Sequence, residues 1–185
     1  MMEDKSLLVL GSTSDIGRAA AAVYAAAGWS VTLAVRNAEE GARDAQDLTV
    51  RYGKSVKVVT FDARAVENHV AFLDRLGAIP DTVICVVGIL GDQTRAETDL
   101  AHAADILRAN FEGPALLLGE IANRMAARGR GSIVGVSSVA GDRGRAVNYV
   151  YGSAKAGMTA FLSGLRNRLA GKGVRVVTVS VVPRN

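Results

Sequence analysis

The alternation of strand-like and helix-like segments constrains the fold of this chain more than any other feature. Six short runs rich in apolar and β-branched residues are separated by longer helix-compatible segments. This alternation predicts a parallel sheet covered by helices on both faces, and right-handed crossovers make it doubly wound. The predicted strands are 6–10, 30–35, 55–61, 82–87, 132–137 and 174–182. The predicted helices are 16–27, 38–52, 65–76, 149–170 and the stretch 98–128, read as a short helix and then a long one from about residue 103.

Composition and charge narrow the class of protein. The 185 residues suffice for one domain with a complete core, and no composition shift marks a domain boundary. The net charge of +4 is spread along the chain without a basic, aromatic-rich block, which argues against nucleic-acid binding. The one cysteine, Cys85, cannot form an internal disulfide and suits a reducing cytoplasm. No apolar stretch is long enough for a signal sequence or a membrane span.

The turn between the first strand and the first helix is rich in glycine and small polar residues. It reads Gly11-Ser12-Thr13-Ser14-Asp15-Ile16-Gly17. In a parallel sheet this turn presents backbone N–H groups and the positive end of a helix to the pyrophosphate of a dinucleotide. All seven residues are therefore candidate cofactor-binding residues of an α/β, Rossmann-like fold. The alternative is an ordinary strand-to-helix loop in which a serine or aspartate caps the helix.

The ends of the second and third strands indicate which dinucleotide would bind. A preference for NAD usually comes with Asp or Glu at the end of the second strand, but Val35 stands there, followed by Arg36 and Asn37. A guanidinium can pair with a 2′-phosphate, so NADP(H) is the predicted cofactor, with NAD(H) possible. Asp62, followed by Ala63, is placed to accept a hydrogen bond from an adenine amino group. The alternatives are a solvated arginine at Arg36 and a helix N-cap at Asp62.

A tyrosine and a lysine four residues apart, Tyr151 and Lys155, project from one face of a predicted helix, and Ser138 ends the strand before it. An ammonium beside a phenol lowers the phenol's pKa from its usual value of about 10. Tyr151 could then exchange a proton with an alcohol or carbonyl oxygen that Ser138 also hydrogen-bonds. The alternative is an amphipathic surface pair. No metal site is predicted.

Taken together, these motifs carry a resemblance to a known family. Over nearly its whole length the chain resembles the short-chain dehydrogenase/reductase family, whose elements occur here in order. They are the glycine loop Gly11–Gly17, Asp62, Asn110 in Asn110-Phe111-Glu112-Gly113, Ser138, and Tyr151 with Lys155. The resemblance implies an NAD(P)-dependent oxidoreductase that transfers hydride between NADP(H) and a small-molecule carbonyl compound or secondary alcohol.

The resemblance also implies roles for the residues. Tyr151 would protonate the carbonyl oxygen, and Ser138 would stabilise the developing oxyanion. Lys155 would lower the tyrosine pKa and hold the nicotinamide ribose, and Asn110 would position a water that links Lys155 to solvent. For Asn110 the alternative is a buried polar residue that satisfies a local helix irregularity. Pairing through the helices after the fourth and fifth strands would give a homodimer or a higher homo-oligomer.

Three departures from the family pattern bear on function. Asp15 stands at a position usually held by glycine, and Cys85-Val86-Val87-Gly88 replaces Asn-Asn-Ala-Gly, so only Gly88 remains as a candidate cofactor contact. Residues 1–185 are expected to form one dinucleotide-binding and catalytic domain without the family's usual C-terminal lid and last strand. A catalytically silent nucleotide-binding or scaffold protein is therefore the main alternative. A sugar-nucleotide epimerase, which shares the Tyr–Lys pair, would need a large C-terminal substrate domain.

Overall fold

The computed structural model describes residues 5–182, in which six parallel strands form one sheet in the order β3-β2-β1-β4-β5-β6. This order reverses direction between β1 and β4, as in a doubly wound sheet, and it confirms the predicted Rossmann-like α/β fold class. The chain end beyond residue 182, on which the expectation of a missing lid depends, lies outside the described residues. The strands are β1 Ser6–Leu10, β2 Ser30–Val35, β3 Lys57–Thr60, β4 Thr82–Cys85, β5 Gly131–Ser138 and β6 Val174–Val181.

Helices cover both faces of the sheet, and most begin where the sequence offers a cap. The side chain of Asn37 accepts hydrogen bonds from the N–H groups of Glu39 and Glu40, and that of Asp99 accepts from His102. The prediction of a short helix followed by a long one from about residue 103 is wrong in its bounds, because the short helix lies before residue 98 and the cap at Asp99 starts the next helix at residue 100. The helices are α1 Asp15–Ala26, α2 Ala38–Tyr52, α3 His69–Leu76, α4 Gln93–Ala96, α5 Leu100–Leu107, α6 Gly113–Arg128 and α7 Tyr149–Leu169.

Strand β1 divides the core into two halves, because successive side chains of a strand point to opposite faces. Leu8 and Leu10 pack on the face covered by α3, α6 and α7, whereas Leu7 and Val9 pack on the face covered by α1 and α2. All four side chains are fully buried. Burying each such side chain contributes about 1.5–3 kcal/mol. The continuous apolar run at β1 is therefore what a central parallel strand requires.

Parallel strands bring all their carboxyl ends to one edge of the sheet. The loops that follow β1, β2, β3, β4 and β5 consequently meet there, around the point between β1 and β4 where the strand order reverses. Ligands of doubly wound sheets bind at this edge. Among residues 5–182, no helix has the length and apolar character that crossing a bilayer demands.

Candidate active site and cofactor cleft

A cleft of about 260 Å³ runs along the carboxyl edge of the sheet, and we call it the edge cleft. Its walls combine apolar side chains such as Phe61 and Val87 with charged and polar groups. It gathers most of the predicted cofactor residues, whereas Ser12, Asp15, Ile16, Gly17 and Lys155 lie outside its lining. The predicted residues that line it are Gly11, Thr13, Ser14, Arg36, Asn37, Asp62, Ala63 and Gly88.

The glycine loop closes tightly onto the first helix. Gly11 has a φ of 82°, and a β-carbon there would lie 3.1 Å from the backbone of Val87. A β-carbon at Gly17 would lie 2.7 Å from the Cα atom of Ser12, so only glycine permits this approach. Ser14 caps α1 by accepting a hydrogen bond of 3.1 Å from the Gly17 N–H. Asp15 begins α1 with an exposed side chain, so an aspartate is accommodated where the family has glycine.

The edge cleft fits a dinucleotide in chemistry as well as in position. At one end, Gly11, Thr13 and Ser14 lie beside the N-terminus of α1, where backbone donors and the helix dipole favour phosphate. The apolar wall formed by Phe61 and its neighbours suits a flat aromatic base. Arg36 is an exposed residue of the lining, and its charge adds to the effect of Arg64 in lowering the pKa of the Asp62 carboxyl group. These groups are the ones that a phosphorylated adenine nucleotide would require.

Asp62 is held by a residue that the sequence analysis did not identify. Its carboxylate accepts hydrogen bonds from the backbone N–H, Nε and Nη2 of Arg64, at 3.0, 3.1 and 2.9 Å. Chiefly through these bonds, Arg64 lowers the pKa of Asp62. The predicted alternative of a helix N-cap at Asp62 is wrong, because the turn that begins at Val66 has no side-chain cap.

Arg64, which lines the edge cleft, also bonds to a residue of α5. Its Nη1 donates to both carboxylate oxygens of Asp105 in that helix, at 2.9 and 3.2 Å. The pairing with Asp62 and Asp105 raises the pKa of the guanidinium further above its ordinary value. The spacing of Asp62 and Arg64, two residues apart, is a sequence signal for their contact. The contact of Arg64 with Asp105 has no such signal, because the two residues are 41 positions apart.

The structure brings the four predicted catalytic residues together as a series of neighbours that starts with Asn110 and Lys155 beside Gly88, and we call them the polar tetrad. A β-carbon at Gly88 would lie 2.6 Å from Oδ1 of Asn110 and 3.2 Å from Nζ of Lys155. The Lys155 ammonium lies 5.7 Å from the centroid of the Tyr151 ring. The Ser138 hydroxyl lies near enough to the Tyr151 phenol to lower its pKa. Gly88 also lines the edge cleft, so the tetrad adjoins the cleft directly.

Protonation of the tetrad differs from the sequence-based expectation. Burial raises the pKa of Tyr151, and the hydrogen bond from Ser138 offsets this only in part. Burial also lowers the pKa of Lys155, whose Nζ donates to the Val136 carbonyl at 3.2 Å. The expectation that Lys155 lowers the tyrosine pKa is therefore wrong for the protein alone, because desolvation of the phenol outweighs the other influences.

Asn110 lies within a π-helical segment, Arg108–Glu112, that joins α5 to α6. Its Nδ2 donates to the carbonyls of Ile106 and Ile89 at 2.8 and 2.7 Å, and its Oδ1 accepts from the Ile89 N–H at 3.2 Å. The alternative interpretation, a buried polar residue at a helix irregularity, thus describes its contacts correctly. The same contacts fix Ile89 beside Gly88, and π-helical segments are frequent at functional sites.

The segment Cys85-Val86-Val87-Gly88 places apolar side chains where the family has asparagine amides. Cys85 is buried at the end of β4, and burial raises the pKa of its thiol. Val86 and Val87 contribute to the wall of the edge cleft. Within residues 5–182, no three His, Cys, Asp or Glu side chains are grouped so that they could hold a metal ion.

Comparison with known proteins identifies the family. Residues 5–183 match the family model of short chain dehydrogenases. An uncharacterised oxidoreductase of Mycobacterium tuberculosis is 43% identical over 174 residues, covering 92% of this chain and 70% of the relative. Sulfoacetaldehyde reductase 2 of Chromohalobacter salexigens is 33% identical over 177 residues, covering 94% and 70%.

A solved structure agrees with the sequence comparisons. The crystal structure of an actinorhodin polyketide ketoreductase variant with NADPH superimposes with a TM-score of 0.86 at 26% identity, and the match covers 97% of this chain and 70% of that one. The family model, the relatives and the shared fold lead to the same conclusion. The chain belongs to the short-chain dehydrogenase family of oxidoreductases.

Proposed function

We propose that the protein reduces a small-molecule ketone or aldehyde with NADPH, and that it also catalyses the reverse oxidation of a secondary alcohol. The grouping of the polar tetrad beside the edge cleft is the observation that carries the proposal, because it combines a phenol that can donate a proton, a second hydroxyl and an ammonium. The names of two similar proteins, a sulfoacetaldehyde reductase and a polyketide ketoreductase, support carbonyl reduction as the reaction class.

Each member of the tetrad has a role that follows from its surroundings. Bound NADPH would supply the hydride that reaches the carbonyl carbon. Tyr151 holds its proton at neutral pH, because burial raises its pKa, and donates it to the carbonyl oxygen. Ser138 donates a hydrogen bond to the same oxygen as negative charge develops there. Lys155 would hold the nicotinamide ribose, and Asn110 keeps Gly88 and Ile89 in place beside it.

Replacing Tyr151 by phenylalanine tests the proposed reaction. The hydroxyl acts only as the carbonyl oxygen gains charge, so Tyr151→Phe should reduce turnover of a ketone panel by about 10²–10⁴-fold and leave NADPH binding nearly unchanged. Tyr149→Phe is the matched control, since Tyr149 lies in the same helical turn with an exposed ring. Equal turnover by both variants would refute the role of Tyr151. NADPH binding without turnover of any ketone by the parent chain would support the silent nucleotide-binding alternative.

We also propose that NADP(H) is preferred to NAD(H). Val35 offers no carboxylate to repel a 2′-phosphate, and Arg36 lies at the end of the edge cleft. A charge-assisted contact of this kind should tighten NADPH binding about tenfold relative to NADH. Fluorescence titrations should show that Arg36→Ala removes most of this difference. Arg75→Ala, at an exposed arginine in the last turn of α3 outside the lining of the cleft, should preserve it. Equal affinities in the parent chain would contradict the preference.

A homodimer formed through α5, α6 and α7 is the proposed assembly. Leu107, Leu116 and Tyr149 are large apolar side chains exposed on these three helices. An apolar groove lies between α5 and the start of α7, with Leu107, Tyr149 and Ala156 in its lining. Exposed apolar surface of this kind favours association. Light scattering at micromolar concentration should give the mass of a dimer, and the mass of a monomer would contradict the assembly.

A further inference from the structure

A second arginine, Arg18, lies in a depression that adjoins the edge cleft on the side of Asn37 and Glu40. Arg18, in the first turns of α1, donates from Nη2 to Oε1 of Glu40 at 2.9 Å. Its Nε donates to Oδ2 and Oδ1 of Asp44 at 3.0 and 3.2 Å. Arg18 thus has two acidic partners on α2, and its guanidinium can release one of them while the other still holds it.

The two partners differ in position. Glu40 lines the edge cleft together with Arg36 and Asn37, whereas Asp44 does not. An adjoining depression on the surface shares Asn37 and Glu40 with the cleft and contains Arg18 and Asp44. The Glu40 side chain therefore lines the cleft and at the same time pairs with the Arg18 guanidinium. Both side chains of that pair are partly exposed, at 43% and 44%, so a soluble anion can compete for it.

Charge makes Glu40 an obstacle to one cofactor in particular. A 2′-phosphate placed beside Arg36 would come close to the Glu40 carboxylate, and two like charges at such a distance repel one another. The diol of NAD(H) carries no charge there and would not be repelled. An anion that displaced Glu40 from Arg18 would instead gain a second guanidinium, and arginine pairs well with phosphate.

We propose that Glu40 occupies the place of the 2′-phosphate in the cofactor-free protein, and that the phosphate of NADP(H) displaces it from Arg18. Arg18 is then a second phosphate-binding residue, held in position by Asp44, and Glu40 limits the preference for NADP(H). This inference rests on the proposed preference for NADP(H) and extends it. Removing Glu40 strengthens binding of the phosphorylated cofactor alone, an effect opposite to that of removing Arg36.

The decisive comparison is between Glu40→Gln and Glu39→Gln. Both remove one negative charge from the first turn of α2 and both side chains border the depression that contains Arg18, but of the two only Glu40 pairs with Arg18 and lines the edge cleft. Glu40→Gln should tighten binding of NADPH about five- to tenfold, with NADH changed by less than about twofold. Glu39→Gln should change both affinities by less than about twofold, because an exposed charge that blocks no guanidinium is screened by solvent. Cofactor fluorescence gives both affinities without turnover.

Competition by 2′,5′-ADP and by 5′-AMP isolates the phosphate from the rest of the cofactor. Glu40→Gln should tighten 2′,5′-ADP and leave 5′-AMP unchanged, and Arg18→Gln should weaken 2′,5′-ADP about tenfold. In the double variant Arg18→Gln/Glu40→Gln, the gain from Glu40→Gln should shrink, because no guanidinium remains to be released. Melting temperatures check that all variants stay folded, as expected for exposed ion pairs.

The outcomes separate this inference from the function on which it rests. Equal effects of Glu40→Gln and Glu39→Gln, in a parent chain that still prefers NADPH, would overturn the role of Glu40 and leave the cofactor preference standing. Equal tightening of NADPH and NADH by Glu40→Gln would overturn it too, since the effect would then not depend on the 2′-phosphate. A parent chain that binds neither cofactor would overturn both the function and this inference.

Discussion

The edge cleft and the polar tetrad are neighbours, but the polar side chains of the cleft form partly exposed ion pairs, whereas those of the tetrad form buried hydrogen bonds. In the cleft, charged side chains that are partly exposed pair with one another, as Arg64 does with Asp62 and Asp105. In the tetrad, Asn110 and Lys155 are 1% and 5% exposed and bond to backbone carbonyls. Exposed ion pairs contribute about 0–1 kcal/mol each, whereas a buried polar group left unsatisfied costs about 1–3 kcal/mol.

This difference has a functional consequence. A substitution of a charged side chain in the edge cleft should change ligand affinity and leave stability almost unaltered, because water replaces the lost partner. A substitution in the tetrad or its supports should change stability as well as activity, because water cannot. Substitutions can thus change cofactor affinity without unfolding the protein, whereas the geometry of the tetrad depends on the packing that also stabilises the fold. Three substitutions test this contrast.

The largest effect on stability is expected where the two regions touch. A β-carbon at Gly113, the first residue of α6, would lie 1.8 Å from the carbonyl oxygen of Ala63 in the wall of the cleft. Neither backbone can move without shifting Asp62 or the π-helical segment. Gly113→Ala should therefore lower the free energy of unfolding by about 2–3 kcal/mol, measured with urea, and weaken NADPH binding as well.

Gly119→Ala in the same helix is the control for Gly113→Ala. Its β-carbon would meet only the Phe161 ring, at 3.8 Å, an ordinary contact. Alanine favours helix over glycine, so this variant should be as stable as the parent or up to about 1 kcal/mol more stable. If Gly113→Ala behaved in the same way, the cleft and the tetrad would not be rigidly joined through α6.

A stabilising effect is expected from Lys155→Met, at the expense of function. Burial lowers the pKa of Lys155, so folding at neutral pH must desolvate an ammonium whose hydrogen bond to Val136 offers only partial compensation. Methionine fills a similar volume without charge and should raise the free energy of unfolding by about 1–2 kcal/mol. NADPH binding and turnover should both fall. Thermal and urea unfolding measure the gain.

The pH dependence of the stability gain shows whether Lys155→Met stabilises the protein by removing a buried charge or by packing better. The unfolded chain holds the lysine proton up to about pH 10.4, whereas the folded protein releases it at a lower pH. Between these two pKa values the unfolded state binds more protons, so the stability of the parent rises with pH and the advantage of methionine shrinks. Tyr151 does not interfere below pH 10, since its pKa is raised. Lys172→Met, at an exposed site, should show no such dependence.

The sequence predicts what depends on local pattern and misses what depends on distant partners. Strands such as β1 and β4 were predictable because strands buried on both faces are continuously apolar. The π-helical segment was not, because it depends on contacts of Asn110 with Ile89, a residue 21 positions away. The Asp105 contact of Arg64 spans 41 positions and was missed for the same reason. The pKa of Tyr151 was mispredicted because it is raised by burial, which the sequence does not display.

The smallest change in stability, and the most selective change in binding, is expected at Arg64. Arg64→Gln removes the guanidinium that fixes Asp62. The side chains of Arg64, Asp62 and Asp105 are all partly exposed, so the free energy of unfolding should change by less than about 1 kcal/mol. NADPH affinity should fall several-fold because Asp62 is no longer held for the adenine. Reduced nicotinamide mononucleotide, which lacks adenine, should bind equally well before and after the change.

Arg95→Gln, which breaks the exposed Arg95–Asp99 pair, is the control and should alter the affinity for neither NADPH nor the mononucleotide. Loss of affinity for the mononucleotide, or a drop in stability like that of Gly113→Ala, would show that the cleft is built as rigidly as the tetrad.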